Sequence, residues 1–336
     1  MSMDLAEVIP APSDEISDIV RYVHPELREA AFAAAEAMRT SSPLSLETLP
    51  ELRAFWATWG EQPAPDIPWE KVIIPESKGH PPVTIYLVNP RGGQGRPAIL
   101  HTHGGGFVFG SAASDVANLQ NLARELGCVI VSVEYRLAPE TTYRGSIEDN
   151  YTALKWLYSN AAEFGVDRSR IGVMGESAGG GHAAMLAIAA RDRGEIPISF
   201  QCLIYPMLDD RTGRGTVPHS VGKLEWTAAN NQFGWSAFLG MEPGGADVPP
   251  SAVPARVVNL ESLPPAFIAV GSIDLFVAEA IDYAKRLIEA GVSTELLVSP
   301  GAFHAFNLFP EAAGSSVLKQ FNAARLTALR RGLQIT

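Results

Sequence analysis

The sequence predicts an α/β fold: a mostly parallel, doubly wound sheet of eight strands flanked by helices. From about residue 71, short β-rich runs alternate with helical stretches, which is the pattern of a sheet whose crossovers are helices. The β-rich runs are almost continuously apolar, as expected for strands that are buried on both faces. A chain of 336 residues, 46% of them hydrophobic, is long enough to bury one large core of this kind.

The elements follow from this alternation in chain order. Eight strands are predicted, at residues 72–74, 84–88, 98–101, 128–134, 171–174, 200–205, 266–270 and 295–298. Helices are predicted between most of them and at the end of the chain, at residues 115–125, 147–164, 178–190, 277–290 and 317–333.

Upstream of the sheet, residues 13–40 have a helical pattern without a strand signal. Behind Ser13, a suitable N-cap, apolar residues recur at helical spacing, namely Ile16, Ile19, Val20 and Val23. Pro25 is predicted to start a second, alanine-rich helix, and the proline-rich residues 62–68 separate this region from the sheet. We therefore predict an N-terminal helical segment at residues 1–50 and an α/β domain at residues 51–336.

Between residues 207 and 260 the alternation is interrupted by a segment that is too aromatic for a solvated linker. Trp226, Phe233 and Trp235 are as consistent with ordinary packed core as with the lining of a pocket. Asp209 and Asp210 begin the segment, and a capped, solvated turn before Arg211 is favoured for them over a paired-carboxylate site.

Charge and cysteine content exclude several functions. With 26 basic and 37 acidic residues the net charge is −11, and a chain without a basic block lacks what binding to nucleic acid requires. Cys128 and Cys202 lie in predicted strands, so neither a disulfide framework nor a zinc site is expected.

The first residues are acidic and lack an apolar segment before a small-residue cleavage site. The longest apolar stretches, such as residues 183–190, are also too short to cross a bilayer. We expect a cytoplasmic protein without a stable membrane anchor.

A candidate nucleophile lies directly after the predicted strand 171–174. Residues 175–179 read Gly-Glu-Ser-Ala-Gly, a G-x-S-x-G match between a strand and a helix, which places Ser177 on a sharp turn. The flanking glycines relieve crowding there, and the helix N-terminus faces developing negative charge. The alternative is a glycine-rich turn that only connects the two elements.

A second motif, His-Gly-Gly-Gly-Phe at residues 103–107, follows the predicted strand 98–101. Successive glycines let backbone N–H groups approach a reacting carbonyl, as the HGGG loops of lipases and esterases do in their oxyanion holes. His101 and His103 could suggest a metal pair, but no third ligand is near in sequence, and a role in shaping the glycine loop is favoured.

A serine nucleophile needs a base and an orienting acid, normally in the chain order Ser, Asp/Glu, His. His219 and His304 are the two candidates for the base. His304 is favoured because it follows the last predicted strand, whereas His219 lies in the aromatic segment. Asp274 follows a strand end and is favoured as the acid. Its rivals, Glu279 and Asp282, fall inside the helical pattern that follows.

Taken together these motifs resemble the hormone-sensitive-lipase-like esterases of the α/β-hydrolase fold, family IV among bacterial lipolytic enzymes. The resemblance covers nearly the whole chain and rests on residues 103–107, 134–140, 175–180 and 205–209, together with Asp274 and His304.

The resemblance implies a triad of Ser177, Asp274 and His304, with the oxyanion-hole amides supplied by Gly105, Gly106 and Ala178. It also implies a cap over the acyl pocket, formed by the N-terminal helices and an insertion at about residues 207–245. The family uses no cofactor and no metal. Relatives often pair through the last strand and the terminal helix, so a homodimer is expected.

Four positions depart from the family pattern without removing a triad member. Glu176 replaces the usual aspartate before the nucleophile, and Gly181 replaces an asparagine. Ala305 replaces the glycine after the histidine, and Ala278 stands where a second aspartate is common. Each alters the surroundings of the site, so substrate preference does not transfer from a relative.

The sequence therefore predicts a serine carboxylesterase that acts on small, short- to medium-chain acyl esters. A lactone or amide hydrolase on the same triad is the alternative within enzymes. A non-catalytic ligand receptor on the same fold is disfavoured because Ser177 and His304 are both present.

Overall fold

The computed structural model describes residues 18–60, 62–77 and 79–335. Its centre is one sheet of eight strands in the order β1-β2-β4-β3-β5-β6-β7-β8. In chain order the strands are β1 (Trp69–Ile74), β2 (Val83–Val88), β3 (Arg96–Thr102), β4 (Val129–Glu134), β5 (Val166–Glu176), β6 (Phe200–Ile204), β7 (Ala266–Gly271) and β8 (Thr294–Ser299). The eight predicted strands are present, and the predicted fold class is confirmed.

The sheet is parallel except at β2, which pairs antiparallel with both β1 and β4. Strands β3, β6 and β7 are buried at every residue, so both faces of the sheet are covered. This explains why these strands are almost continuously apolar in the sequence.

Eight α-helices lie entirely within the described residues. They are α1 (Arg28–Thr40), α2 (Leu49–Thr58), α3 (Val116–Leu126), α4 (Tyr143–Asn160), α5 (Ala178–Arg193), α6 (Ala228–Leu239), α7 (Val277–Glu289) and α8 (Ser316–Gly332). The helix predicted at 147–164 is shifted by four residues, since α4 begins at Tyr143. None of the helices in the described part of the chain combines the length and the apolar character needed to span a bilayer.

The N-terminal region differs in detail from the prediction. Ser13 and Ile16 lie outside the described residues, and residues 18–20 are helical. Pro25 starts a short 3-10 turn, and the alanine-rich helix α1 begins at Arg28. Helix α2 has proline in its first turn and crosses residue 50, where the N-terminal segment was predicted to end.

Residues 205–265 connect β6 to β7 and contain α6. The buried carboxylate of Asp210 accepts hydrogen bonds from the Arg256 guanidinium at 2.6 and 2.8 Å, which ties the start of this segment to its end. The expected solvated turn is therefore wrong for Asp210, whereas Asp209 pairs with the exposed Arg211. The residues around Asp210 do not indicate that its partner, Arg256, lies 46 positions further along the chain.

Cys128 and Cys202 are free and buried, as predicted. Burial raises the pKa of the Cys128 thiol to about 12, so it stays protonated at neutral pH.

Candidate active site

Ser177 is the single residue between β5 and α5, and it lies in a sharp turn with a strained backbone conformation. Its backbone has φ 56° and ψ −121°, a conformation that L residues rarely adopt. A Cβ on Gly175 would lie 2.3 Å from the Gly179 carbonyl oxygen, and one on Gly179 would lie 2.0 Å from the Thr102 carbonyl oxygen. The glycines on either side of the serine are therefore required by close backbone contact.

The structure brings the three predicted side chains into one hydrogen-bonded chain. His304 Nε2 is 3.0 Å from Ser177 Oγ, and His304 Nδ1 is 2.9 Å from Asp274 Oδ2. The other oxygen of Asp274, Oδ1, accepts from the Phe276 amide at 2.9 Å. Since Asp274 and His304 are 0% and 5% exposed, water does not compete for these bonds.

The ring of His304 is also held from its sides. Tyr205 and Phe276 meet it edge to face, with ring centroids 4.9 and 5.1 Å away. These contacts fix the ring plane, because a rotation of the imidazole would collide with one of the two aromatic rings. The arrangement suits a base whose two nitrogens have different partners.

The rival residues lie elsewhere. His219 is exposed in the segment between β6 and β7, and Asp282 is exposed on α7. Glu279 is buried, but its carboxylate accepts from the Leu208 amide at 2.6 Å and from the Thr212 hydroxyl. Burial raises the pKa of Glu279 well above its usual value.

The glycine loop after β3 folds back on itself. The amides of Val108 and Phe109 both donate to the Gly105 carbonyl oxygen at 3.0 Å. Gly105 has φ 118°, and a Cβ there would lie 2.1 Å from the Phe109 carbonyl oxygen. Within the described residues, the amides of Gly105, Gly106 and Ala178 donate to no protein acceptor, so all three are free to bind a substrate oxygen.

His103 and Tyr135 brace this loop, as the favoured role for His103 anticipated. The Tyr135 hydroxyl donates to the His103 carbonyl oxygen at 2.7 Å, and the two rings stack with centroids 4.1 Å apart. Burial lowers the pKa of His103, so its neutral ring can donate from Nδ1 to the Gly104 carbonyl oxygen at 2.8 Å.

His101 faces different partners from His103. Its Nε2 is 2.8 Å from Oε2 of Glu176, and its Nδ1 is 2.9 Å from Oγ of Ser132. The two histidines therefore do not form a metal pair. Within the described part of the chain, no three His, Cys, Asp or Glu side chains are grouped so that they could hold a metal ion.

The three aromatic residues named above in the segment between β6 and β7 differ in their surroundings. Trp226 packs on the glycine loop, since a Cβ on Gly106 would lie 2.2 Å from its indole, and its ring centroid is 6.4 Å from that of His304. Trp235 is 0% exposed and belongs to the core. Phe233 is half-buried against that core.

Three features of the site were not predicted from the sequence. His182 also follows Ser177 in the chain and was not considered as a base; its ring is buried against Tyr135 and Phe107, and burial lowers its pKa to about 3. The His101–Glu176 pair joins residues 75 positions apart, and its only signal was the unusual Glu176. Nothing in the sequence indicated that Trp226 contacts Gly106.

Comparisons with known proteins agree with this geometry. Residues 99–308 match a family described as having the alpha/beta hydrolase fold. Carboxylesterase NlhH of Mycobacterium tuberculosis is 33% identical over 289 residues, which are 85% of this chain and 85% of that protein. Esterase LipI of the same organism is 36% identical over 211 residues, covering 62% of this chain and 65% of the relative.

Solved structures give the same result. One named Bacterial Heroin Esterase superposes with a TM-score of 0.82 at 38% identity and covers 94% of this chain and 99% of its own. Esterase LipW from Mycobacterium marinum has a TM-score of 0.74 at 30% identity, with coverage of 93% and 96%. The chain belongs to the hormone-sensitive-lipase-like carboxylesterases of the α/β-hydrolase fold and is a carboxylic-ester hydrolase.

Proposed function

We propose that the protein is a serine esterase that hydrolyses short- to medium-chain acyl esters through the triad of Ser177, His304 and Asp274. The single observation that supports this most is the chain of hydrogen bonds from Ser177 Oγ to His304 and on to Asp274, at 3.0 and 2.9 Å. A serine, a histidine and an aspartate in this order and spacing are the parts of a nucleophile, its base and the group that orients the base.

In the first half of the reaction, the neutral His304 accepts the Ser177 proton at Nε2 while Oγ attacks the ester carbonyl carbon. Asp274 accepts from Nδ1–H, which selects the right tautomer and stabilises the imidazolium that forms. The tetrahedral oxyanion accepts hydrogen bonds from Gly105, Gly106 and Ala178, each worth about 3–4 kcal/mol to the barrier. When the carbon–oxygen bond breaks, His304 returns the proton to the leaving alcohol.

In the second half, a water molecule replaces the alcohol. His304 takes a proton from this water, whose oxygen attacks the acyl carbon on Ser177. Collapse of the second tetrahedral intermediate releases the carboxylic acid, and the proton returns to Ser177 Oγ. The enzyme is regenerated without any group beyond the chain's own side chains and amides.

The preference for shorter acyl chains is proposed from what covers the site. Helices α1 and α2, together with residues 205–265, form the proposed cap. Trp226 brings bulk directly onto Gly106, and Phe109 stacks on Trp56 of α2 with centroids 5.6 Å apart. Large aromatic side chains close to the reacting carbonyl leave less length for an acyl chain than small ones would.

The expectation of a cytoplasmic homodimer stays a prediction. Within the described residues, β8 is the outer strand on its side of the sheet and pairs with β7, and an outer strand is a place where a second copy could pair.

The test is hydrolysis of p-nitrophenyl esters from acetate to palmitate, with Ser177→Ala measured beside the wild type. We expect activity that peaks at short to medium chains and is lost in the variant. A folded wild type without activity on any ester would overturn the assignment and would direct the same assay to lactones and amides. Activity that survives in Ser177→Ala would rule out Ser177 as the nucleophile.

A further inference from the structure

A single buried imidazole bridges three strands directly beneath the proposed active site. His101 lies on β3, opposite Ser132 of β4 on one side and Met174 of β5 on the other. Its Nδ1 meets Ser132 Oγ at 2.9 Å, and its Nε2 meets Oε2 of Glu176, the last residue of β5, at 2.8 Å. His101 is 1% exposed, so its ring is hidden from water, and the charges of Asp115 and Arg325 also lie close enough to affect its pKa.

Burial and the mutual attraction of His101 and Glu176 act on the charge of this pair in opposite directions. Burial disfavours the charged imidazole, yet the attraction and hydrogen bond of Glu176 raise the pKa of His101 above its ordinary value. Burial likewise disfavours the carboxylate, but the His101 charge lowers the pKa of Glu176 below its ordinary value. Nε2–H of His101 can donate to the Glu176 carboxylate, while Nδ1 and the Ser132 hydroxyl can form a hydrogen bond in either direction.

The position of this ion pair in the chain gives it a role. Glu176 is followed at once by Ser177, and His101 precedes the glycine loop by two residues. The pair therefore joins the segment that ends in the nucleophile to the segment that begins the oxyanion loop. A second bond runs the same way, from Thr102 Oγ1 to the Gly179 carbonyl oxygen at 2.7 Å.

The length of the side chain matters. Glu176 stands where the family resemblance implies aspartate. It lies two residues beyond Met174, the β5 partner of His101, so its side chain reaches the imidazole along a diagonal that is longer than the strand spacing of about 4.8 Å. The additional methylene of glutamate extends the carboxylate along this diagonal. Glu176 and His101 thus match each other in reach as well as in charge.

We propose that the Glu176–His101 ion pair positions Ser177 against the amides of Gly105 and Gly106, and that its loss lowers kcat while leaving KM almost unchanged. Both are positioning residues, since they act through the two segments they join. The proposal rests on the proposed function, because it assigns the pair a task in the Ser177 reaction. Misplacement of reacting groups by a fraction of an ångström is enough to slow a reaction strongly.

The experiment is a double-mutant cycle with p-nitrophenyl acetate, using Glu176→Gln, His101→Gln and the double variant. We expect each single variant to lower kcat about 10- to 100-fold with KM changed by less than about threefold. The double variant should be no slower than the slower single variant, because the same interaction is lost in all three. Ser132→Ala, which removes only the Nδ1 partner, gives a milder probe with a smaller loss of kcat.

Asp149→Asn is the matched control, because Asp149 lies on α4, outside both the proposed active site and the proposed cap. It weakens another buried carboxylate pair, with the Arg136 guanidinium at 2.9 Å, and should lower the melting temperature while changing kcat by less than about twofold. Single effects on kcat that multiply in the double variant, or variants that lose only melting temperature, would overturn the proposal. Ser177→Ala distinguishes failure of this proposal from failure of the proposed function. If that variant remained active, the proposed function would fail as well. If it were inactive while the single effects on kcat multiplied in the double variant, only the proposed role of the ion pair would be lost.

Discussion

Two regions of the molecule are held in place by different interactions. One is the set of loops at the carboxyl ends of β3, β5, β7 and β8, which we term the sheet edge, and the other is the proposed cap. At the sheet edge, hydrogen bonds and close backbone contacts dominate, as in the bonds of His304 and the glycines around Ser177. The cap meets the sheet edge through side-chain packing, as where Phe107 of the glycine loop stacks on Phe238 of α6 with ring centroids 4.0 Å apart. Hydrogen bonds specify an atom's position more narrowly than apolar packing does. On the proposed function, we expect the sheet edge to govern the rate of the chemical step and the proposed cap to govern the preference among acyl chains.

The largest effect on kcat is expected when His304, the proposed base, loses the side chain that orients it. Asp274→Asn keeps the size of the side chain but removes the charge and offers His304 the wrong tautomer, so kcat should fall about 10⁴-fold. Steady-state kinetics on p-nitrophenyl acetate measure this. Asp282→Asn, an exposed carboxamide on α7, is the control and should retain wild-type kcat. A loss below tenfold in Asp274→Asn would remove Asp274 from the triad.

A smaller effect, on the preferred acyl-chain length, is expected from Trp226, where the cap contacts the glycine loop. Trp226→Ala removes the indole that packs on Gly106, which opens space beside the reacting carbonyl. We expect the preferred acyl chain to become longer, with kcat/KM for octanoate rising about tenfold relative to acetate. The ester series from acetate to palmitate measures the shift. The account of the cap would be wrong if the variant kept the wild-type order of chain lengths and lost activity equally on all of them.

The smallest expected effect is on the pH dependence of the free energy of unfolding, through His182, which is buried between the sheet edge and the cap. His182 packs between Tyr135 and Phe238, and burial lowers its pKa from 6.5 to about 3. The unfolded chain thus binds a proton that the folded one rejects, and stability decreases as the pH falls below about 6.5. This contribution has a slope of at most about 1.4 kcal/mol per pH unit.

His182→Leu should remove that slope. Urea denaturation at pH 7, 6, 5 and 4 measures it as the decline in the free energy of unfolding, which we expect to be shallower in the variant. His219→Leu is the control, because its ring is exposed. Parallel declines in the wild type and His182→Leu would show that His182 does not contribute to acid sensitivity.

How much the sequence could predict also differs between the two regions. The eight strands, Ser177, Asp274 and His304 could be predicted because strand periodicity and local motifs encode them within a few residues. The contact of Trp226 with Gly106 and the ion pair of Asp210 with Arg256 could not, since each joins residues far apart in the chain. Helix α2 was missed because Pro50 was not recognised as a first-turn proline. Contacts between residues that are far apart in the chain produce no recognisable local pattern in the sequence.

The most direct test of the central claim is to trap the acyl-enzyme. Wild-type protein is mixed with p-nitrophenyl acetate, quenched in acid within the first turnover, digested and examined by peptide mass spectrometry, with Ser177→Ala treated in parallel. The account predicts one acetyl group on the peptide that contains Ser177, and none on the corresponding peptide of the variant. An acetyl group on another residue, or steady ester hydrolysis with no trapped adduct under conditions in which acylation outpaces deacylation, would contradict it.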